Sequence, residues 1–246
     1  MKIRGVMKLI VKKREVPEKI RAFEAILRRI ASNHPKRLLL ESDLSKYRAG
    51  FNGEQALDYY LSFLDEQKFT IFHDLRLKHG EYYFQIDCLL LTAYFALIIE
   101  VKNMTGTLRF DPNFNQLIRS LNDKEEGFPN PIFQIKRQKL QLEKWLNKQH
   151  FLGTPIEILI VYSNSTAVLI GNKVVSSIVC KVDRVFEKIN ELERKHTNQN
   201  LNEKEIKKLT KLLLKNHTSS NKSSYLQKYT IPHTDIITGV QCPQSQ

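Results

Sequence analysis

The sequence predicts an α/β fold with a mixed central sheet, its core elements in the order α-β-β-β-α-β, and three observations carry that reading. Apolar residues recur at helical spacing in 50–67 and 131–149. Four runs rich in β-formers, 69–77, 82–91, 94–101 and 154–163, each have strand length. The first three lie close together between the two helices, which predicts a meander, and the fourth follows the second helix.

Each element has its own justification. Residues 17–32 place Ile20, Phe23, Ile26, Leu27 and Ile30 on one helical face behind Pro17, which suits a first turn. This helix reads as an N-terminal extension. The helix over 50–67 has Asn52 as its expected cap, Glu54 in its first turn and an apolar stripe of Leu57, Tyr60, Leu61 and Leu64. Thr92 and Ala93 are left to join the second and third strands. Such a tight hairpin would pair Leu91 with Tyr94 and Asp87 with Ile98, leaving Asp87 diagonal to Glu100. Residues 103–130, with Gly106, Asp111, Pro112, Gly127 and Pro129, read as irregular. The basic helix 131–149 opens at Pro131, and at least one β-prone run lies within 166–180. Two further helices are expected in 182–216, around a polar HTNQN link. The resulting plan is an N-terminal helical extension (1–47), a central domain (48–180), a basic helical segment (181–216) and a flexible tail (217–246).

The chain has 246 residues, and its 39 Lys and Arg against 26 Asp and Glu give a net charge of +13. That balance favours a polyanionic partner, nucleic acid before an anionic membrane surface. Three separated cysteines, Cys88, Cys180 and Cys242, argue against a disulfide framework and for a reducing, cytoplasmic setting. The N-terminus lacks the pattern of a secretory signal, and the longest apolar stretch, 89–99, is about half the roughly 20 residues a spanning helix needs. No membrane association is expected.

The chemistry concentrates in FQIDCLLLTAYFALIIEVKN, residues 84–103. Two strands that should be buried carry Asp87, Glu100 and Lys102, although burying an unpaired charge is costly. Glu100 and Lys102, two apart on a strand, share a face. Two carboxylates brought close repel unless a divalent cation bridges them, and their hard oxygens suit Mg²⁺. Lys102 beside such an ion could hold a phosphate or orient water. Metal-assisted phosphodiester hydrolysis is the chemistry implied. The duller reading is a solvated strand end, which suits an isolated Glu-x-Lys better than one accompanied by Asp87.

Asp87 followed by Glu100-Val101-Lys102 resembles the D…ExK core of the PD-(D/E)xK nuclease superfamily. Local matches point to its nuclease-related domain (NERD) branch: Gly50-x-x-Gly53-Glu54, Ile86-Asp87, Ile99-Glu100-Val101-Lys102-Asn103 with Gly106, and Asn130-Pro131-x-x-Gln134. Together they cover roughly residues 48–165. The resemblance implies a restriction-endonuclease-like core, Mg²⁺ (with Mn²⁺ as substitute) held by Asp87 and Glu100, and Lys102 as the catalytic lysine. It further implies that Glu54 assists the metal and that Gln134 extends the site. Read from the residues alone, Glu54 could equally serve a helix dipole and Gln134 could be a surface amide. Lys136, Arg137, Lys139 and Lys144 form either a solvated face or a phosphate-tracking one. His73, His79 and His150 show no metal-binding spacing and are expected to be surface or structural residues. The tail segment ITGVQCPQSQ resembles the start of a zinc ribbon, but Cys242 stands alone, so no zinc is expected.

The expected activity is therefore a Mg²⁺-dependent nuclease acting on DNA in DNA processing. Two alternatives stand beside it: a catalytically silent nuclease-fold module that binds nucleic acid, and an interaction protein with basic docking helices.

Overall fold

A computed structural model of the chain describes residues 9–219 and 224–239. In chain order its elements are β1 (Ile10–Lys12), α1 (Glu18–Arg29), α2 (Arg37–Leu61), β2 (Thr70–His79), β3 (Tyr82–Leu91) and β4 (Ala96–Lys102). There follow β5 (Thr107–Asp111), β6 (Gln116–Leu121), β7 (Lys124–Pro129), α3 (Pro131–Lys148), β8 (Ile156–Tyr162) and β9 (Val168–Ile170). The last are α4 (Lys173–Ile178), β10 (Val179–Lys181), α5 (Val185–Lys195), α6 (Glu203–Asn216) and α7 (Tyr225–Lys228). The expected α-β-β-β-α-β order runs through α2, β2, β3, β4, α3 and β8.

The described residues form two compact units, one from 9–14 and 53–219, the other from 15–52 and 224–239. In the larger unit a six-stranded sheet has the order β1-β2-β3-β4-β8-β10. Strands β2, β3 and β4 are antiparallel, while β1, β8 and β10 join parallel to their neighbours, so the sheet is mixed. Its middle strands read as continuous apolar runs because both faces are covered. Leu89, Leu91 and Ile98 face Leu142, Trp145 and Leu146 of α3 and Leu209 and Leu213 of α6. Cys88, Leu90, Leu97 and Ile99 face Leu57 and Leu61 of α2 and Val185 and Ile189 of α5.

Local chemistry explains where these helices begin. In α3 the Asn130 side chain accepts from the Ile132 N–H, with Pro131 at the first position. In α6, Asn202 and Glu205 form a reciprocal capping box. The helix expected over 50–67 begins earlier, at Arg37, so Asn52 lies inside it and caps nothing, and Glu54 is not in a first turn. Gly53, inside the same helix, serves a close contact. A Cβ there would lie 2.6 Å from both the Asn103 Cβ and the Ser163 Oγ, so its absence lets α2 touch the ends of β4 and β8.

Three other expectations change. The β3–β4 connection is a four-residue loop, Thr92–Phe95, closed by the Thr92 Oγ1, which accepts from the N–H groups of Tyr94 and Phe95. Leu91 therefore pairs with Ala96 and Cys88 with Ile99, not Leu91 with Tyr94. Residues 103–130 are not irregular: β5, β6 and β7 are joined by β9 in a second sheet of order β7-β6-β5-β9. The β6–β7 turn uses Asn122 and Asp123, both at positive φ (51° and 59°), as a two-residue hairpin turn does.

In the smaller unit, Ile20, Phe23 and Ile26 of α1 pack with Leu40, Leu44, Tyr229 and Ile231. Phe23 meets the rings of Tyr47, Tyr225 and Tyr229 edge-on at 5.3–5.6 Å. The stretch from 217, expected as a flexible tail, thus contributes a short helix and two buried side chains to this cluster. Cys242 and the zinc-ribbon resemblance lie outside the described residues.

Candidate active site

The β3–β4 ladder runs from Leu91↔Ala96 to Cys88↔Ile99 and stops. Asp87 and Glu100 are the next residues beyond that last pair, so both acids stand at the end of the ladder. Here the Asp87 carboxylate replaces the ladder: its Oδ2 accepts from the Val101 N–H at 3.0 Å. The partner strand is irregular at the matching place, since β2 pairs His73 with Cys88 and Leu75 with Ile86 while Asp74, between them, has φ 49°. The inward-facing parity of both strands changes across this point. Phe72, then Leu75 and Leu77, share a core cluster, as do Phe84 and Ile86, then Leu89 and Leu91. The acid therefore sits where the sheet locally gives up its regular pleat, a common place for a bulge or twist to re-aim a side chain.

Glu100 is 3% exposed and both its oxygens are engaged. Oε1 accepts from the Lys102 Nζ and the Gln134 Nε2, each at 2.6 Å, and Oε2 accepts from the Gln138 Nε2 at 2.8 Å. Lys102 also donates to the Gln134 Oε1 at 3.0 Å. Gln134 is thus no surface amide; it bridges the acid and the lysine. Gln138 was not singled out by sequence reading, although its i+4 spacing from Gln134 puts both amides on one helix face. Burial, then the charges of Glu100 and Glu54, hold the Asp87 carboxyl well above the usual carboxylate range; the Val101 N–H and Lys102 pull the other way.

Glu54, from α2, is turned to Arg14, whose Nη1 lies 2.5 Å from its Oε2. Lys136, Arg137 and Lys144 are exposed on the solvent side of α3, whereas Lys139, one turn from both Ile135 and Leu142, is half-buried at the edge of its packed face. Cys88 points into the opposite core cluster, and burial pushes its thiol up. Among the described residues, no three His, Cys, Asp or Glu side chains stand arranged around a metal position. The donor chemistry nevertheless suits a hard cation. Two carboxylates from adjacent strands converge, one held toward its protonated form while an ammonium sits on the other.

No curated protein matches the sequence. Among solved structures, the small subunit of the heterodimeric restriction endonuclease R.BspD6I aligns over 80% of this chain and 86% of its own, at 12% identity and a TM-score of 0.23. So loose a likeness has no bearing on fold or chemistry. The family profile described as "Nuclease-related domain" matches residues 49–163, a span that begins in α2, ends just after β8 and includes Asp87, Glu100, Lys102, Gln134 and Gln138. Residues 49–163 of this chain are a nuclease-related domain.

Proposed function

We propose that the protein is a Mg²⁺-dependent nuclease that hydrolyses phosphodiester bonds of DNA in DNA processing. The observation that carries this reading is the convergence of Asp87, Glu100, Lys102 and Gln134 at the end of the β3–β4 ladder, inside a nuclease-related domain. Asp87 and Glu100 would hold the metal, and Glu54, gripped by Arg14, would assist them. A bound divalent cation supplies Lewis-acid stabilisation of the phosphoryl oxygens and a water of lowered pKa.

The chain's own residues do the rest. Gln134 and Gln138 orient Glu100 by donating to its two oxygens. The Lys102 ammonium, held by the Gln134 Oε1, would meet a scissile phosphate oxygen or the attacking water. Lys136, Arg137, Lys139 and Lys144 track the backbone phosphates. Buried, free Cys88 and Cys180 are in keeping with a reducing cytoplasm. Among the described residues no helix is long and apolar enough to cross a membrane.

The test incubates labelled linear, circular and single-stranded DNA with the full chain and Mg²⁺, Mn²⁺ or EDTA, beside Asp87→Ala, Glu100→Ala and Lys102→Ala. Cleavage by the parent that needs metal and drops about 100-fold or more in each variant is expected. Variants that cleave as well as the parent would remove the site assignment. Salt-sensitive binding without cleavage at any metal concentration would favour the silent binding module instead.

A further inference from the structure

Arg14 lies 35 residues before the matched domain begins, yet it belongs to the same compact unit as the site. It arrives from β1, which pairs parallel with β2 through Ile10↔Ile71 and Lys12↔Phe72, while the Lys12 Nζ donates to the His73 carbonyl at 2.8 Å. The Arg14 side chain is only 4% exposed. Its fork takes Asp58 with two bonds, Nε to Oδ2 at 3.0 Å and Nη2 to Oδ1 at 3.1 Å. Nη1 takes the Glu54 Oε2 at 2.5 Å and lies 3.7 Å from Asp74, and Nη2 lies 3.0 Å from the His73 Nδ1. Because a guanidinium can only donate, it fixes the His73 Nδ1 as an acceptor.

We propose that Arg14 is a positioning residue of the metal site, an inference that rests on the metal reading above. It ties together Glu54, on the helix beside the site, and Asp74, the left-handed residue opposite Asp87 in β2. The planar fork does this and a point charge cannot, because three separate donors are used at fixed angles. Asp58 takes two of the fork's bonds and offsets its charge, so Arg14's contribution to the site is geometric: it sets where the Glu54 carboxylate stands relative to Asp87. The nuclease-related domain alone therefore lacks a part of its own site, which the strand preceding it supplies.

The experiment measures Mn²⁺ binding to the full chain by electron paramagnetic resonance of the free ion, with thermal melts as the folding control. The variants are Glu100→Gln, Glu54→Gln, Arg14→Met, Arg14→Lys and the Arg14→Met/Glu54→Gln pair. Arg14→Met is expected to weaken Mn²⁺ binding roughly 10- to 100-fold, as removing the orienting partners of metal ligands does. Glu54→Gln should weaken it comparably, and the double variant should bind no more weakly than Glu54→Gln alone, since Arg14 acts through that carboxylate. Arg14→Lys, with charge but no fork, should fall between parent and Arg14→Met. Parent-like binding by a cooperatively melting Arg14→Met, or additive losses in the pair, overturns the proposal. Should Arg14→Met fail to fold, Arg14→Lys decides: severalfold weaker binding supports the proposal and parent-like binding overturns it. Absence of Mn²⁺ binding by the parent, or equal binding by Glu100→Gln, removes the metal reading itself; a loss confined to Glu100→Gln removes only the role of Arg14.

Discussion

Glu100 is almost fully buried, and each of its oxygens has a donor aimed at it from a different residue. Gln138 supplies one of those donors and also bonds the Gln85 carbonyl at 3.0 Å, so it ties α3 to both β3 and β4. Gln138→Leu leaves a buried carboxylate oxygen and a carbonyl without this partner. A stability loss of about 1–3 kcal/mol is expected by denaturant unfolding, together with reduced metal-dependent cleavage. His73 makes a separate prediction. Burial pushes its pKa from 6.5 down to about 4; the Asp58 charge opposes the shift, and the Arg14 and Lys12 charges add to it. Between those values the unfolded chain holds a proton that the folded protein does not, so stability falls as pH drops through this window, by about 3 kcal/mol in all. Unfolding curves at pH 7 and pH 4.5 should show this loss, and His73→Asn, which keeps an acceptor for Arg14 but does not titrate, should lose less. At this scale the sequence shows Asp87, Glu100 and Lys102 plainly, because charges inside apolar strands demand an explanation. It does not show Arg14, whose partners lie at 54, 58, 73 and 74 and which ends the basic run Lys12-Lys13-Arg14.

Among the elements, α2 offers the sharpest test of packing against propensity. An exposed helical Gly→Ala change gains about 1 kcal/mol, because alanine costs less backbone entropy. At Gly53 the added Cβ would meet the Asn103 Cβ and the Ser163 Oγ at 2.6 Å. Overpacking of that kind costs about 1–3 kcal/mol, so the clash wins and Gly53→Ala is expected to be destabilised in thermal melts. The strands β3 and β8 and helix α3 were legible within a residue or two, because buried strands and amphipathic helices write their period into the sequence. Strands β5–β7 were not, since β6 buries one residue and β7 none, and the alternation in β5, Leu108 and Phe110 about Arg109, spans only three residues. The Asn122-Asp123 turn was the one local signal available. The β3–β4 register was missed for a related reason: Thr92 closes a four-residue loop with its side chain, and Tyr94 and Phe95, which belong to that loop, read as strand because they are apolar.

Over the whole molecule the net charge of +13 makes a prediction independent of the active site. DNA affinity should fall steeply with salt, and replacing Lys136, Arg137, Lys139 and Lys144 by glutamine should lower the slope of log K against log[salt] by about 1 for each phosphate no longer neutralised. An unchanged slope in binding titrations would remove the α3 face from the interface. By itself the sequence determined the α-β-β-β-α-β order, the two apolar faces of the sheet and the acid, acid, lysine triplet, because these follow from local periodicity and the cost of burying charge. The tertiary structure alone decided which residues surround that triplet. Gln138 reaches Glu100 across 38 positions, and Arg14 reaches Glu54 across 40. Contacts at that separation depend on strand register and helix docking, which no local stretch of sequence encodes.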